Sequence, residues 1–483
     1  MARVASAEGL PAVALAEAGE GGARAAALLL LLPLLLAAVS CGDSTSEIAR
    51  RILDRHRTSA RVKPLPAAQI VRLRLTAPEG DSAASGETEI AWYRTDYREE
   101  VTSAGVRTIR GIQGEKSYYT DEDGVTRVGS EPILRELLTR FYFWKRAYLF
   151  EDLQRAKARP GPADDATVSV ELVPKGGNPI LLRFSRADYR LVAVRSPRFH
   201  LDFRSPNSFL DSSRAGRPVA ATLLSTTLPT GSLPDAAVGP WSSRFAQPVA
   251  EAPFTGAPED VVFPAAIGGT TVKLRLDAAR SGPVLLSPDT AAKTGAAFQR
   301  DVFGRDLAAG VPLAIGALSY PEVHVERSAS PISGADAVAG GTLFRETIVE
   351  LDPASRRIRF HDPAVWPIPE GFARAIIDDD GNVPTAILGR KSESVRVIAG
   401  SAPGSELLLA PESAKRIGLD PAAPSAADVG WGPLDMAPIP FRHRAGEFSP
   451  DWGGDGELGI GILLRYHVFL DLHHRWIYLK PSS

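Results

Sequence analysis

The feature that most constrains the fold is an internal echo in the C-terminal half. Val272-Lys-Leu-Arg-Leu-Asp277-Ala-Ala-Arg-Ser-Gly-Pro-Val-Leu-Leu-Ser-Pro288 aligns residue for residue with Val395-Arg-Val-Ile-Ala-Gly400-Ser-Ala-Pro-Gly-Ser-Glu-Leu-Leu-Leu-Ala-Pro411. The anchor is Leu285-Leu286-Ser287-Pro288 against Leu408-Leu409-Ala410-Pro411, and on that register Gly400 stands where Asp277 stands. The echo extends both ways. Phe263-Pro264…Ile267-Gly268 precedes the first copy and Val383-Pro384…Ile387-Leu-Gly389 the second, while Asp336…Val349-Glu-Leu-Asp352 matches Asp455…Val468-Phe-Leu-Asp471 at identical spacing. A period of roughly 120 residues is too long for a solenoid unit. It implies two domain-sized lobes made by duplication, expected at 259–364 and 375–483.

Each copy reads locally as strand, small-residue turn, strand and short helix. Val272 to Leu276 alternates as a strand does, and Ser287-Pro288 reads as the N-cap and first position of a helix ending near Gly295. A carboxylate at the end of a buried strand is costly unless it is paired or used, which makes Asp277 the candidate site residue. The stretch resembles the retropepsin-like (aspartic protease) family, whose motif is strand, Asp-Thr/Ser-Gly-Ala/Ser, strand and short helix. This chain keeps the Asp and has Ala278 and Ala279 where that family has its hydroxyl and its glycine. The resemblance implies two carboxylates about 3 Å apart sharing one proton, because like charges at that distance cannot both ionise. One would act as base on a water while the other donates to the scissile carbonyl. The second lobe offers Gly400-Ser401-Ala402 and no carboxylate on the register; Glu393 and Glu406 lie off it. Ala337-Val338-Ala339-Gly340 and Glu457-Leu458-Gly459 resemble the family's later apolar-glycine element, which packs behind the catalytic loop.

Other acids and histidines have plainer roles. Asp289-Thr290-Ala291 follows Pro288 and belongs to the helix, where its charge suits the N-terminus, as Glu412 does in the second copy. Asp352 and Asp471 precede hairpin turns and are expected to stabilise them. His473-His474 and His443 lack ligand spacing, so neither metal nor cofactor is expected. No glycine-rich phosphate loop and no Gly-x-Ser-x-Gly occurs, which leaves nucleotide and serine-hydrolase chemistry without a motif. A net charge of -2 gives no footprint for a nucleic-acid partner.

Ahead of the lobes, the 483-residue chain has room for about two to four domains. Cys41 is the single cysteine, so no internal disulfide can form. It follows Ala25 to Ser40, an apolar run interrupted by Pro33 and flanked by Arg24, too short for a comfortable span. Residues 1–41 resemble a bacterial lipoprotein signal with the lipobox Ala38-Val39-Ser40-Cys41, although that motif usually opens with Leu. The resemblance implies lipidation at Cys41, a membrane-lipid partner and an extracytoplasmic, envelope-anchored chain. The long acidic stretch before Arg24 is what a start codon placed too early would produce. Residues 42–60 read as a tether and short helix. From 61 to 228 the pattern turns to period two, with turn signals between runs and one aromatic helix from Ser130 to about Phe150. Glu89-Ile-Ala-Trp-Tyr-Arg, Ile112-Gln-Gly-Glu-Lys-Ser-Tyr-Tyr and Leu182-Arg-Phe-Ser-Arg-Ala-Asp-Tyr resemble the half-barrel of outer-membrane lipoprotein-sorting carriers. Residues 229–258 are Pro-rich and read as a linker or wrap.

The expected fold is therefore mainly β: an antiparallel curved sheet or half-barrel with one helix, then two retropepsin-like lobes forming a pseudo-dimer. Three functions follow. The first is an aspartic-protease-like protein with a degenerate dyad, holding extended peptide or protein segments between its lobes without cleavage. The second is an active endopeptidase using Asp277. The third is an apolar-ligand or lipid carrier through the N-terminal sheet.

Overall fold

The computed structural model describes residues 46–77, 84–120, 126–129, 131–150, 157–212, 218–234, 243–379, 383–390, 392–420, 425–436, 438–444 and 454–482. The expected lipobox, residues 38–41 with Cys41, lies outside them. A helix over 46–59 precedes the first sheet, and no helix among the described residues is long and apolar enough to cross a membrane.

The N-terminal sheet has 13 strands. Six run as a meander from Ala68–Thr76 to Thr126–Val128, a helical segment intervenes, and seven more run from Lys157–Pro160 to Val219–Thr227. The last returns antiparallel to the first, with Ile70 opposite Thr227 and Thr76 opposite Ala220. The sheet stays open, because its two ends, Thr126–Val128 and Lys157–Pro160, do not pair with each other. The aromatic helix is two pieces, Glu131–Trp144 and Ala147–Phe150. It breaks at Arg146, whose φ of 55° puts it in the left-handed region and ends regular helix geometry. The helix packs into the sheet. Phe143 meets Phe199 edge-on at 5.3 Å and stacks on Tyr148 at 6.0 Å, Trp144 lies 5.9 Å from Phe209, and Phe141 stacks on Tyr97 at 5.4 Å.

Two further sheets, of eight and nine strands, form the cores of the two lobes, and their connections repeat. In the first, Thr270–Leu276 pairs in parallel with Ala337–Ala339, placing Leu274 opposite Ala337. In the second, Glu393–Ser401 pairs in parallel with Gly456–Gly459, placing Val397 opposite Gly456. Val284–Leu286 and Leu407–Leu409 then close each motif antiparallel. One aspartate locks each crossing. Asp336 accepts from Lys273 N at 2.8 Å through its side chain and from Ser287 N at 2.9 Å through its carbonyl. Asp455 does the same with Arg396 N at 2.8 Å and Ala410 N at 3.0 Å.

A six-stranded sheet joins the lobes. At its centre Ile348–Asp352 runs antiparallel to Tyr466–Asp471. Arg357–His361 and Trp476–Pro481 flank that pair, and Val249–Pro253 and Ala373–Ile376 are outermost. The Pro-rich stretch is thus partly structured: Val249–Pro253 pairs with Arg357–His361, and Arg244–Phe245 pairs with Leu318–Arg327. Ala373–Ile376 likewise joins the last strand of the chain two residues ahead of the expected start of the second lobe. Val249–Pro253 is outermost in its sheet and carries its proline at the end, the edge placement that a residue without a backbone N–H allows.

The first lobe and the N-terminal sheet are docked at two points. The hairpin tip Asp301–Arg305 inserts Val302 and Phe303 into the core of the N-terminal sheet, with Val302 N donating to Ser103 Oγ at 3.0 Å. Arg127 of the sheet pairs with Glu346 of the lobe, both buried, and Ser243 N donates to the other oxygen of Glu346 at 2.6 Å.

Candidate functional site

Asp277 follows the last residue of the strand Thr270–Leu276. Its N–H donates to Ala339 O at 2.9 Å and its carbonyl accepts from Arg280 N at 3.1 Å, so the turn is tied to the apolar-glycine element behind it. That element must be glycine at its end. A Cβ on Gly340 would lie 2.2 Å from Asp277 O and 2.4 Å from Arg280 O. The second lobe repeats the arrangement, since a Cβ on Gly459 would lie 2.5 Å from the backbone of Gly404.

Across the lobes, Ala278 N donates to Gly400 O at 3.1 Å, and Asp277 Oδ1 accepts from Ala279 N and from Ala402 N, each at 3.1 Å. Gly400 has φ of 93°, which side chains disfavour. A Cβ there would approach Leu463 Cδ1 at 3.3 Å and the Cβ of Ala278 at 3.4 Å. Thus the methyl of Ala278 faces Gly400 across a close interface. Among the described residues, the hydrogen bonds to the Asp277 carboxylate come from backbone N–H groups of both lobes. Burial pushes its pKa up, opposed by those two N–H groups and by Arg280 and Arg275.

One acid near this site was not singled out from the sequence. Glu457 pairs in register with Ile398, and Ile398 packs with Val383 and Ala279 beside Asp277. Because Leu458 points into the core, Glu457 projects to the opposite face of its strand. Its pKa is raised by burial and further by the charge of Asp277, against the pull of Arg444, whose Nη1 lies 3.6 Å away. No hydrogen bond links Glu457 to Asp277 among the described residues. The available signal was its place two residues before Gly459, where the first lobe carries apolar Val338. Glu406, off the register as expected, pairs with Arg442 at 3.1 Å.

The remaining acids sit as the sequence suggests. Ser287 caps its helix by accepting from Thr290 N, and Asp289 and Glu412 are in first helical turns. Asp352 accepts from Ser355 N at 3.2 Å, and Asp471 from His474 N at 2.9 Å. A second cluster escaped sequence reading because it straddles the lobes. Glu350 binds Arg359 at 2.6 Å, His361 at 2.7 Å and His467 at 2.8 Å. Its oxygens, with Asp352 and His467, lie close enough for a cation, but the Arg359 guanidinium already occupies the cluster and repels one. Burial would raise the Glu350 pKa; the two imidazoles and Arg359 hold it below the usual carboxylate range.

No protein-family model and no curated protein sequence matches this chain. Among solved structures, an aspartic proteinase from Irpex lacteus aligns at 12% identity and TM-score 0.32, covering 49% of this chain and 98% of that one. A Vibrio parahaemolyticus domain described as an outer membrane lipoprotein-sorting protein aligns at 8% identity and TM-score 0.27, covering 38% of this chain and 94% of that one. At such scores the fold rests on strand order and register, which give a mainly β chain with a curved N-terminal sheet and two lobes of like strand connection.

Proposed function

We propose that this chain is a lipid-anchored envelope protein whose paired lobes arose by duplication and hold an extended peptide or protein segment between them without cutting it. The observation that carries this reading is the environment of Asp277. Its Oδ1 accepts two backbone N–H groups, its counterpart is Gly400, and no second carboxyl shares a hydrogen bond with it among the described residues. A proton-sharing dyad needs two acids in contact, one to activate water and one to protonate the carbonyl. Glu457 contributes a field at Asp277 without that contact. The repeated aspartate locks at Asp336 and Asp455 support duplication, and Cys41 would supply the anchor.

The test is cleavage of unfolded protein substrates from acid to neutral pH. The full chain and Asp277→Asn should both be inert and indifferent to pepstatin. Pepstatin-sensitive proteolysis that Asp277→Asn abolishes would establish a peptidase instead. For the anchor, Cys41→Ser should release the protein from the membrane fraction.

The carrier reading has less support. The aromatic helix packs into the N-terminal sheet beside a void of about 20 Å³, room for about one water and far too little for an acyl chain. Buried charges, Glu99 and Arg140, line it.

A further inference from the structure

A groove of about 1040 Å³ opens on the second lobe, away from Asp277. Ile376, Ile387, Met436, Trp431 and Trp476 supply its apolar lining. Ile376 and Ile387 are 60% and 55% exposed, so two large aliphatic side chains of the groove are left in water. Arg374 stands at one rim over the Trp476 ring, at 4.8 Å, and Asp428 and Asp435 stand among the other lining residues.

The first lobe shows what the equivalent hairpin edge receives. There the turn Gly316-Ala317 rests on the outermost strand of the shared sheet, a Cβ on Gly316 lying 3.2 Å from Glu251 O. In the second lobe the turn Gly432-Pro433 rests on the opposite outermost strand, a Cβ on Gly432 lying 3.4 Å from the Cβ of Ala375. Each turn joins two strands of its lobe, pairing Ile315 with Leu318 and Trp431 with Leu434. In the first lobe an extended piece of the chain's own linker adds to this hairpin. Arg244 lies opposite Ser319, Phe245 opposite Leu318, and Ala246 N donates to Ala317 O at 2.9 Å. Phe245 packs on the lobe core. In the second lobe Leu434–Asp435 is the last strand of its sheet among the described residues. The preceding segment goes elsewhere, with Phe372 packed on His467 and Phe469 at 5.1 and 5.2 Å.

We propose that this groove binds an extended segment of another polypeptide, added as a strand along Leu434–Asp435, with an aromatic residue entering beside Ile376 and Ile387. Strand addition supplies main-chain hydrogen bonds, and the side-chain pocket supplies selectivity. The partner chemistry is a basic residue followed by an aromatic one. In the first lobe Arg244 sits opposite Ser319, and the matching position here is Asp435, whose carboxylate, with that of Asp428, favours a cation. This site is separate from the cleft at Asp277 and does not depend on what that cleft does.

The probe is a labelled hexapeptide copying residues 243–248, Ser-Arg-Phe-Ala-Gln-Pro, titrated by fluorescence anisotropy against the full chain. Saturable binding is expected. It should weaken at least tenfold in Ile387→Asp and in Asp435→Lys, both at solvent-facing positions that leave the fold intact by circular dichroism. It should vanish when the peptide's Phe is replaced by Asp, and persist in Asp277→Asn. Absence of saturation, or wild-type affinity in Ile387→Asp, overturns the proposal. A chain that dimerises in sedimentation and is dissociated by the peptide overturns the assignment to a foreign partner in favour of a second copy.

Discussion

Replacing Gly340 by alanine tests how tightly the Asp277 turn is built. The added Cβ would sit 2.2 Å from Asp277 O and 2.4 Å from Arg280 O, more than 1 Å inside ordinary van der Waals contact (roughly 3.5 Å for carbon). Both oxygens belong to main chain held by hydrogen bonds, including Gly341 N to Arg280 O at 3.0 Å, so neither can swing away as a side-chain tip would. Overpacking of this kind costs about 1–3 kcal/mol. The expected loss is about 3 kcal/mol, the upper end of that range because both contacts are to fixed backbone, and a large fraction of the roughly 5–15 kcal/mol that stabilises a typical domain. Gly404→Ala is the control. It lies in the same site, but its Cβ would meet nothing nearer than 3.6 Å, so the change should stay within about 0.5 kcal/mol. Urea unfolding followed by tryptophan fluorescence reads both. With a slope of about 2–3 kcal/mol/M, Gly340→Ala should lower the midpoint by about 1 M while Gly404→Ala leaves it in place. Equal midpoints for Gly340→Ala and wild type would refute the claim that backbone contact fixes this turn.

Asp277 has a folded pKa above its ordinary value, so the folded state holds the proton more tightly and the charged form costs stability at neutral pH. Asp277→Asn should therefore raise the unfolding temperature at pH 7, with the gain shrinking as pH falls from the raised folded pKa to the ordinary carboxylate value. Glu350 has the opposite sign: its pKa is depressed, so its contribution is full above the unfolded value and is lost as pH falls through the lower, folded one. Glu350→Ala, which takes the shared acceptor from His361 and His467 while Arg359 keeps Glu251 at 2.6 Å, should cost about 2 kcal/mol at pH 7 after allowance for partial exposure, and that penalty should fade in acid. Phe303→Ala should cost about 3 kcal/mol and speed hydrogen exchange in the N-terminal strands around Ser103, because it removes the plug between sheet and lobe.

What the sequence by itself determined is what repeats or alternates locally. Period-two runs mark strands because alternate side chains face opposite sides of a sheet, and the shared Leu-Leu-x-Pro anchor and the Asp336 and Asp455 positions placed two like motifs 123 and 119 residues apart by subtraction (408 minus 285; 455 minus 336). The Ser287 cap and the Asp352 and Asp471 turns were readable for the same reason, since each interaction closes within a few residues. What tertiary structure decided is every pairing across long separations. The approach of Ala402 N to Asp277, the field of Glu457, the Glu350 cluster astride both lobes, the Phe303 plug and the linker strand at Arg244 all join residues far apart in the chain. Their neighbours carry no trace of them, because hydrogen bonds and Coulomb forces act on distance in space and the sequence records only distance along the backbone.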